Sequence, residues 1–163
     1  MAEMAWTWFG VRASGVTAWG LLTAVVIWGI LLRSRVISAS PLRMVDLHRW
    51  IGALALFFLA VHLILLTVDP YLTFTWLQML VPGLSAWQPF AVALGTLALW
   101  AVIPVSVIGR IRARLGEAGA AWFRRSHLIA YTAWPLATLH YVLAGTDALA
   151  EWSIALLIAG TAL

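Results

Sequence analysis

Apolar runs long enough to cross a lipid bilayer occupy most of this chain, and they constrain its fold more than any other feature. A helix needs ~20 mostly apolar residues to cross the ~30 Å hydrocarbon core of a membrane. Of the 163 residues, 64% are hydrophobic and only 10% are charged, whereas a water-soluble domain carries roughly 25% charged residues. Polar side chains are too few to cover the surface, so we expect a lipid bilayer to cover it.

Five apolar runs are candidates for membrane-spanning helices. They cover residues of about 14–32, 45–68, 89–109, 123–144 and 148–163. Pro104 and Pro135 lie inside the third and fourth runs, where a proline is expected to kink a helix. The fifth run would be only ~24 Å long, slightly short for a full crossing. We predict an all-α integral membrane protein, a single domain over residues 1–163 with a bundle of about five transmembrane helices.

Arginines mark the predicted topology. The chain has ten basic residues, all arginine, and nine of them lie in the links after the first and third spans or in the first residues of the spans that follow. Those nine are Arg33, Arg35, Arg43, Arg49, Arg110, Arg112, Arg114, Arg124 and Arg125. Only Arg12 lies on the opposite side, so the positive-inside rule puts the N-terminus outside and the arginine-rich loops in the cytoplasm. Basic clusters between apolar runs favour a role in topology over a nucleic-acid partner.

The link over residues 69–88 is long but not very polar. We expect a short helix at the bilayer surface, formed around Trp76, Leu77, Met79 and Leu80. The Pro82-Gly83 pair would end this helix.

All four histidines lie in or at the edges of two candidate spans. His48 and His62 are 14 positions apart on the second span, and His127 and His140 are 13 positions apart on the fourth. One full crossing separates these spans, so they run parallel. The two intervals correspond to ~21 and ~20 Å along a helix. His48 is therefore level with His127 near the cytoplasmic face, and His62 is level with His140 near the outer face.

Two levels, each with one imidazole from each helix, are the arrangement that ligates two haems stacked across a membrane. Imidazole is a strong axial ligand of haem iron. Haem also needs no thiol ligand, and the chain has no cysteine. We predict two haems between the second and fourth helices. His48 and His127 would ligate the inner haem iron, and His62 and His140 the outer one.

Hydrogen bonding between helices and proton relay are alternatives to haem ligation for these histidines. A single intramembrane histidine fits a hydrogen bond to a neighbouring helix, and ionisable groups in membranes often form proton relays. No acid lies in the middle of a candidate span to continue a relay. Zinc requires three or four ligands at ~2 Å from one point, which ligands several turns apart on one helix do not supply.

The angle around the helix axis between the two histidines differs between the two spans. Fourteen steps of ~100° return to nearly the same helix face, whereas 13 steps end about 140° away. The second span thus presents both imidazoles to one side, and the fourth would not if it were regular. Whether Pro135 redirects His140 is left open by the sequence.

Side chains near the histidines are candidates for haem contacts. Arg49 follows His48, and Arg124 and Arg125 precede His127, so these guanidinium groups are placed to bind the inner propionates; topology alone also accounts for them. Trp134 lies midway between the two predicted levels, with Phe57 and Phe58 at the matching depth. These rings would pack between the macrocycles, or face lipid and core.

Small and acidic residues complete the set of candidates. Gly52 and Gly95 would let a helix approach a flat haem face, although ordinary helix packing accounts for them equally well. Asp69 and Asp147 flank the outer ends of the two histidine helices. They are candidates for binding a cation or an outer partner, or are solvated loop acids.

The pattern resembles the ferric-reductase-like transmembrane family, the haem-binding membrane domain shared by NADPH oxidases and ferric reductases. That family carries histidine pairs spaced 14 and 13 on two parallel helices, matched here by His48/His62 and His127/His140. Further segments resemble short actinobacterial members of the family: RASG at 12–15, LHRWIG at 47–52, DPYLTF…LVPG in the outer link and HYVLAGTD at 140–147. The resemblance covers residues of about 12–150.

The resemblance implies a di-haem b-type cytochrome of the bacterial plasma membrane that carries electrons from the cytoplasmic side to an acceptor at the outer face. Large members continue into a flavin and nicotinamide domain, which this sequence lacks, as it lacks a sixth span. The chain is therefore expected to be an oxidoreductase membrane component that needs a separate donor, either a flavin reductase or quinol, and an outer acceptor or partner protein. The alternatives are a membrane anchor or assembly subunit for a redox enzyme, and a proton or metal-ion conduit.

Overall fold

The computed structural model describes residues 5–34, 41–111 and 114–162, and within these ranges the chain is helical, with no strand. Arg35 and Arg112, two of the topology arginines, lie outside the described residues. The helices are α1 (Ala5–Ser34), α2 (Pro41–Val68), α3 (Trp76–Leu80), α4 (Pro89–Ile111), α5 (Gly116–Ala144) and α6 (Glu151–Thr161). The predicted all-α class is confirmed for this part of the chain.

Three helices are long and apolar enough to cross a membrane, over Trp6–Ser34, Leu42–Val68 and Pro89–Ile111. Apolar side chains on these helices are open to the surroundings; for example, Ile30, Ile64 and Val107 are each at least 50% exposed. Such a surface is unfavourable in water and suits contact with lipid tails. The described part of the chain is therefore all-helical, and three of its helices have the length and composition of membrane spans.

The fourth and fifth predicted spans also contain helices, but α5 carries charged residues in its first part and α6 is short. α5 has 29 residues, and its first part carries Glu117, Arg124 and Arg125. α6 has only 11 residues, which corresponds to ~17 Å, about half the hydrocarbon core. A crossing by five helices thus stays a prediction.

Helix boundaries differ from the apolar runs that predicted them. α1 begins at Ala5 rather than near residue 14, and α5 begins at Gly116 rather than near residue 123. Hydropathy marks where an apolar run begins, whereas backbone hydrogen bonds continue the helix beyond it, through Trp6 and Trp8 in α1 and past Glu117 in α5. Both prolines lie inside helices that continue past them, Pro104 in α4 and Pro135 in α5.

Two compact units make up the described chain. Unit 1 contains α1, α2 and α6, and unit 2, Leu77–Ala144, contains α4, α5 and most of α3. In unit 1, Gly10 lies against Leu65 and Gly29 lies against His48, so α1 and α2 are antiparallel. In unit 2, Gly95 lies against His140 and Gly109 against Phe123, so α4 and α5 are also antiparallel. The single domain predicted over residues 1–163 stays a prediction.

Helix α3 forms where the outer link predicted a short helix. Trp76, Leu77 and Leu80 are exposed as expected, but Met79 is only 4% exposed and belongs to the interior of unit 2. Its carbonyl oxygen accepts a hydrogen bond from Thr96 Oγ1 at 2.8 Å. Gly83, with φ of 85°, ends the segment in the left-handed region that favours glycine. The predicted stop at Pro82-Gly83 is confirmed.

Candidate functional site

His62 of α2 is held by the backbone of α1. Its Nδ1 lies 2.8 Å from the carbonyl oxygen of Val11. A carbonyl oxygen only accepts hydrogen bonds, so the Nδ1 atom of His62 carries the proton and donates it. The contact joins residues 51 positions apart in the sequence, which makes it a tertiary contact within unit 1 rather than a local turn.

His140 of α5 repeats this arrangement in unit 2. Its Nδ1 lies 2.7 Å from the carbonyl oxygen of Ala91, near the start of α4. The accepting carbonyl again belongs to the preceding antiparallel helix, and the imidazole again donates from Nδ1. The two histidines predicted at the outer level are therefore held in the same way by two different units.

This hydrogen bond fixes the tautomer of a neutral imidazole. A neutral imidazole that donates from Nδ1 has an unprotonated Nε2 with a lone pair. Metal-bound histidines almost always donate their other ring N–H to a carbonyl, carboxylate or water, which fixes the tautomer and the ring orientation. The Nδ1 hydrogen bonds of His62 and His140 to backbone carbonyls are of this kind.

His48 and His127 lie in different surroundings. The Nδ1 atoms of both residues are buried. The ring of His48 lies against Gly29 of α1. His127 packs against aromatic residues one turn away on its own helix: its ring centroid is 5.0 Å from that of Phe123 and 6.3 Å from that of Tyr131.

The predicted pairing joins residues of different units. His48 and His62 belong to unit 1, and His127 and His140 belong to unit 2. The two pairs therefore stay a prediction of the sequence. Among the described residues, no three or more histidine, cysteine, aspartate or glutamate side chains gather as a metal site. A haem iron with two axial imidazoles does not require such a group.

The predicted propionate ligands lie at the surface of their units. Arg49 forms an i,i+3 ion pair with Asp46 at 3.6 Å, and both side chains are more than half exposed. Arg124 and Arg125 are also exposed. Their role towards a haem stays a prediction, since topology alone accounts for exposed arginines equally well.

The predicted aromatic residues differ in exposure. Trp134 is partly buried in α5, and its carbonyl accepts a hydrogen bond from Thr138 Oγ1 at 2.8 Å. Phe57 is 59% exposed and makes an edge-to-face contact with Phe58, with ring centroids 5.4 Å apart. Phe57 is thus placed to face lipid or a partner, and a contact of Trp134 with haem stays a prediction.

The two predicted glycines have different neighbours. A Cβ atom at Gly52 would lie 3.7 Å from Val25 Cγ2, an ordinary packing distance. A Cβ at Gly95 would lie 2.9 Å from two ring atoms of His140. The close approach predicted at Gly95 is therefore to an imidazole ring.

Both outer acids are engaged within unit 1. Asp69 is only 5% exposed, and its Oδ1 accepts hydrogen bonds from the backbone N–H groups of Tyr71 and Leu72. Asp147 forms an ion pair with Arg12, whose guanidinium carbon lies 3.9 Å from the ring centroid of Trp8. These contacts show structural roles for both acids, and binding of a cation or an outer partner stays a prediction.

Sequence reasoning missed the groups that hold the histidines. The carbonyls of Val11 and Ala91 carry no side-chain pattern, so no sequence feature points to them. The spacing of Gly15 and Gly29 is such a sequence feature. They are 14 positions apart on α1, the same interval that separates His48 and His62 on α2. That shared interval is visible in the sequence.

No protein-family model, curated protein or solved structure matches this chain. The fold and the candidate site therefore define the class: over the described residues, a helical protein with apolar, membrane-type helices, in which two antiparallel helix pairs each hold a histidine by a hydrogen bond from Nδ1 to a backbone carbonyl.

Proposed function

We propose that the protein is a di-haem b-type membrane cytochrome that carries electrons from the cytoplasmic side of a bacterial plasma membrane to an acceptor at the outer face. One haem would be held by His48 and His127, and the other by His62 and His140. The single observation that carries the proposal is the pair of Nδ1 hydrogen bonds, from His62 to Val11 and from His140 to Ala91.

The residues present fit a haem with two axial imidazoles. Donation to a carbonyl raises the electron density of the imidazole and holds its plane, and the apolar helices around it exclude water. A bound haem b with both axial positions filled supplies reversible one-electron chemistry. The chain's contribution is to bind, orient and keep dry two such centres across the bilayer, over a spacing of ~20 Å between the histidines of each helix.

The electron donor and acceptor are proposed from the same reasoning. The chain has no cysteine for an iron–sulfur cluster and no glycine-rich dinucleotide motif. We propose that electrons enter from a flavin reductase or from quinol, and leave to an outer acceptor or a partner protein. Five membrane crossings with cytoplasmic arginine-rich loops belong to this proposal.

The haem content of four single variants tests the assignment of ligands. His48→Ala, His62→Ala, His127→Ala and His140→Ala are expressed with added haem and purified in detergent. Pyridine haemochromes give the total haem content, and redox titration of the visible spectrum of the intact protein identifies the haem that remains. We expect His62→Ala and His140→Ala to lose the same haem, as judged by its α-band and midpoint potential, and the two remaining variants to lose the second haem. Normal haem content in all four variants would contradict the proposal.

A further inference from the structure

Three glycines lie directly against histidine rings on the neighbouring helix. A Cβ atom at Gly15 would stand 3.0 Å from Cε1 and Nδ1 of His62, and a Cβ at Gly95 would stand 2.9 Å from the same atoms of His140. A Cβ at Gly29 would stand 3.3 Å from Cε1 of His48. All three distances are tighter than ordinary van der Waals contact. Any larger residue at these positions must therefore displace the imidazole or the helix.

In unit 1 the glycine interval equals the histidine interval. Gly15 and Gly29 are 14 positions apart on α1, and His48 and His62 are 14 positions apart on α2. Because α1 and α2 are antiparallel, Gly29 meets His48 while Gly15 meets His62. Fourteen residues return to nearly the same face of a helix. One face of α1 thus offers space for an imidazole at each of two levels.

The hydrogen bonds show why glycine is needed at two of these positions. Gly15 follows Val11 by four residues, and Gly95 follows Ala91 by four residues. In an α-helix the carbonyl of residue i points towards residue i+4. An imidazole that donates to that carbonyl must lie over residue i+4, where a Cβ atom would occupy its place. Glycine lowers helix propensity relative to alanine, and the space for the ring gives a reason for its use here.

His127 does not share this arrangement. The glycine of α4 nearest to its level, Gly109, would place a Cβ atom 3.1 Å from Phe123 Cε2. Phe123 in turn packs against the ring of His127, with centroids 5.0 Å apart. Three of the four histidines therefore pack against glycine, and the fourth packs against an aromatic ring.

We propose that Gly15, Gly29 and Gly95 are positioning residues that set the planes of the His62, His48 and His140 imidazoles as haem ligands. The proposal rests on the proposed function and adds a specific assignment. Gly15 would act through His62 and Gly95 through His140, on the haem that the proposed function assigns to these two histidines. Gly29 acts on the second haem, through His48.

The proposal predicts a defined spectroscopic change for each alanine variant. Displacing the His62 or His140 ring stretches its Nδ1 hydrogen bond and rotates its plane. A weaker hydrogen bond makes the imidazole a poorer electron donor, so the reduction potential of that haem rises. Rotation of the plane shifts the largest g value of the low-spin ferric haem. We also expect the affinity for that haem to fall roughly tenfold.

The experiment compares five full-length variants with the wild type in detergent, by electron paramagnetic resonance and potentiometric titration. The variants are Gly15→Ala, Gly95→Ala, Gly29→Ala, Gly10→Ala and Gly20→Ala. The last two are controls: a Cβ at Gly10 would meet the Leu65 side chain at 3.0 Å, and a Cβ at Gly20 would meet nothing within 4 Å. Gly10→Ala therefore reproduces the crowding on α1 without touching a histidine. Circular dichroism verifies that each variant is folded.

We expect Gly15→Ala and Gly95→Ala to shift the g value and potential of the haem that His62→Ala removes. Gly29→Ala is expected to shift the second haem, and both controls to shift neither. If the tighter variants fail to fold, Gly29→Ala, with its longer contact, still tests the assignment. Two haems in the wild type with unshifted spectra in all folded glycine variants would overturn the positioning role alone. A wild type without haem would overturn the proposed function, and the positioning role with it.

Discussion

Arg12 and Asp147 form an ion pair that joins the first part of α1 to the turn before α6. The two side chains are 21% and 32% exposed, and the guanidinium of Arg12 also lies over the ring of Trp8. Further along, Gly160 of α6 packs against Trp19 of α1. α6 therefore runs beside α1 in the same direction, and the ion pair fixes one end of this contact.

A double-mutant cycle measures what this ion pair contributes. We expect Arg12→Ala and Asp147→Asn each to lower the thermal stability of the detergent-solubilised protein, with a coupling free energy of about 1 kcal/mol because the pair is partly exposed. Arg49 and Asp46 provide the matched control, since their ion pair is more than half exposed. A control cycle that couples more strongly than the Arg12–Asp147 cycle would contradict this account.

The attachment of α3 to α4 gives a second prediction. Thr96 Oγ1 donates to the Met79 carbonyl at 2.8 Å, and Trp100 Nε1 donates to the Leu80 carbonyl at 2.9 Å. We expect Thr96→Val to destabilise this contact by about 1 kcal/mol and to speed amide hydrogen exchange over residues 76–84. Thr132→Val is the control, because the Thr132 hydroxyl donates within its own helix, to the carbonyl of Ile129. Equal exchange in the two variants would count against the role of Thr96.

Topology is testable because the chain has no cysteine. Ala86 and Ala118 are both exposed, and the positive-inside rule puts them on opposite sides of the membrane. In intact bacterial cells, an impermeant maleimide should label Ala86→Cys and leave Ala118→Cys unlabelled until the membrane is opened. The reverse pattern would show that the proposed direction of electron transfer is wrong.

Axial ligation by two histidines predicts how the reduced protein responds to carbon monoxide. With both axial positions filled, neither haem binds the gas, so the spectrum of the reduced wild type should stay unchanged. Any haem retained by His140→Ala at the outer position has one open axial site and should bind carbon monoxide. A wild-type spectrum that changes as much as that of the variant would show that one axial position is already open.

Several elements are predictable from the sequence because local patterns determine them. Long apolar runs predict the cores of α1, α2 and α4, and the Pro82-Gly83 pair predicts the end of α3. Helix ends are less predictable, because helical hydrogen bonds continue beyond the most apolar part of a run, as at Ala5 and Gly116.

The sequence predicts the histidine side chains of the candidate site, but it does not predict the groups that they contact. Histidine spacing singles out His62 and His140, but their partners are backbone carbonyls of Val11 and Ala91, which any residue type would supply. The ion pair of Asp147 is equally hidden, because its partner, Arg12, lies near the opposite end of the sequence. Such contacts depend on how helices pack and not on neighbouring residues in the chain.

The haem content of the purified full-length wild type tests the central claim most directly. The protein is expressed with adequate haem, purified in detergent, and assayed as a pyridine haemochrome together with oxidised and dithionite-reduced spectra. The account predicts about two haem b per chain, both low-spin. A protein that is folded and helical but contains no haem would contradict it, and the four histidines would then have to form a proton or packing network.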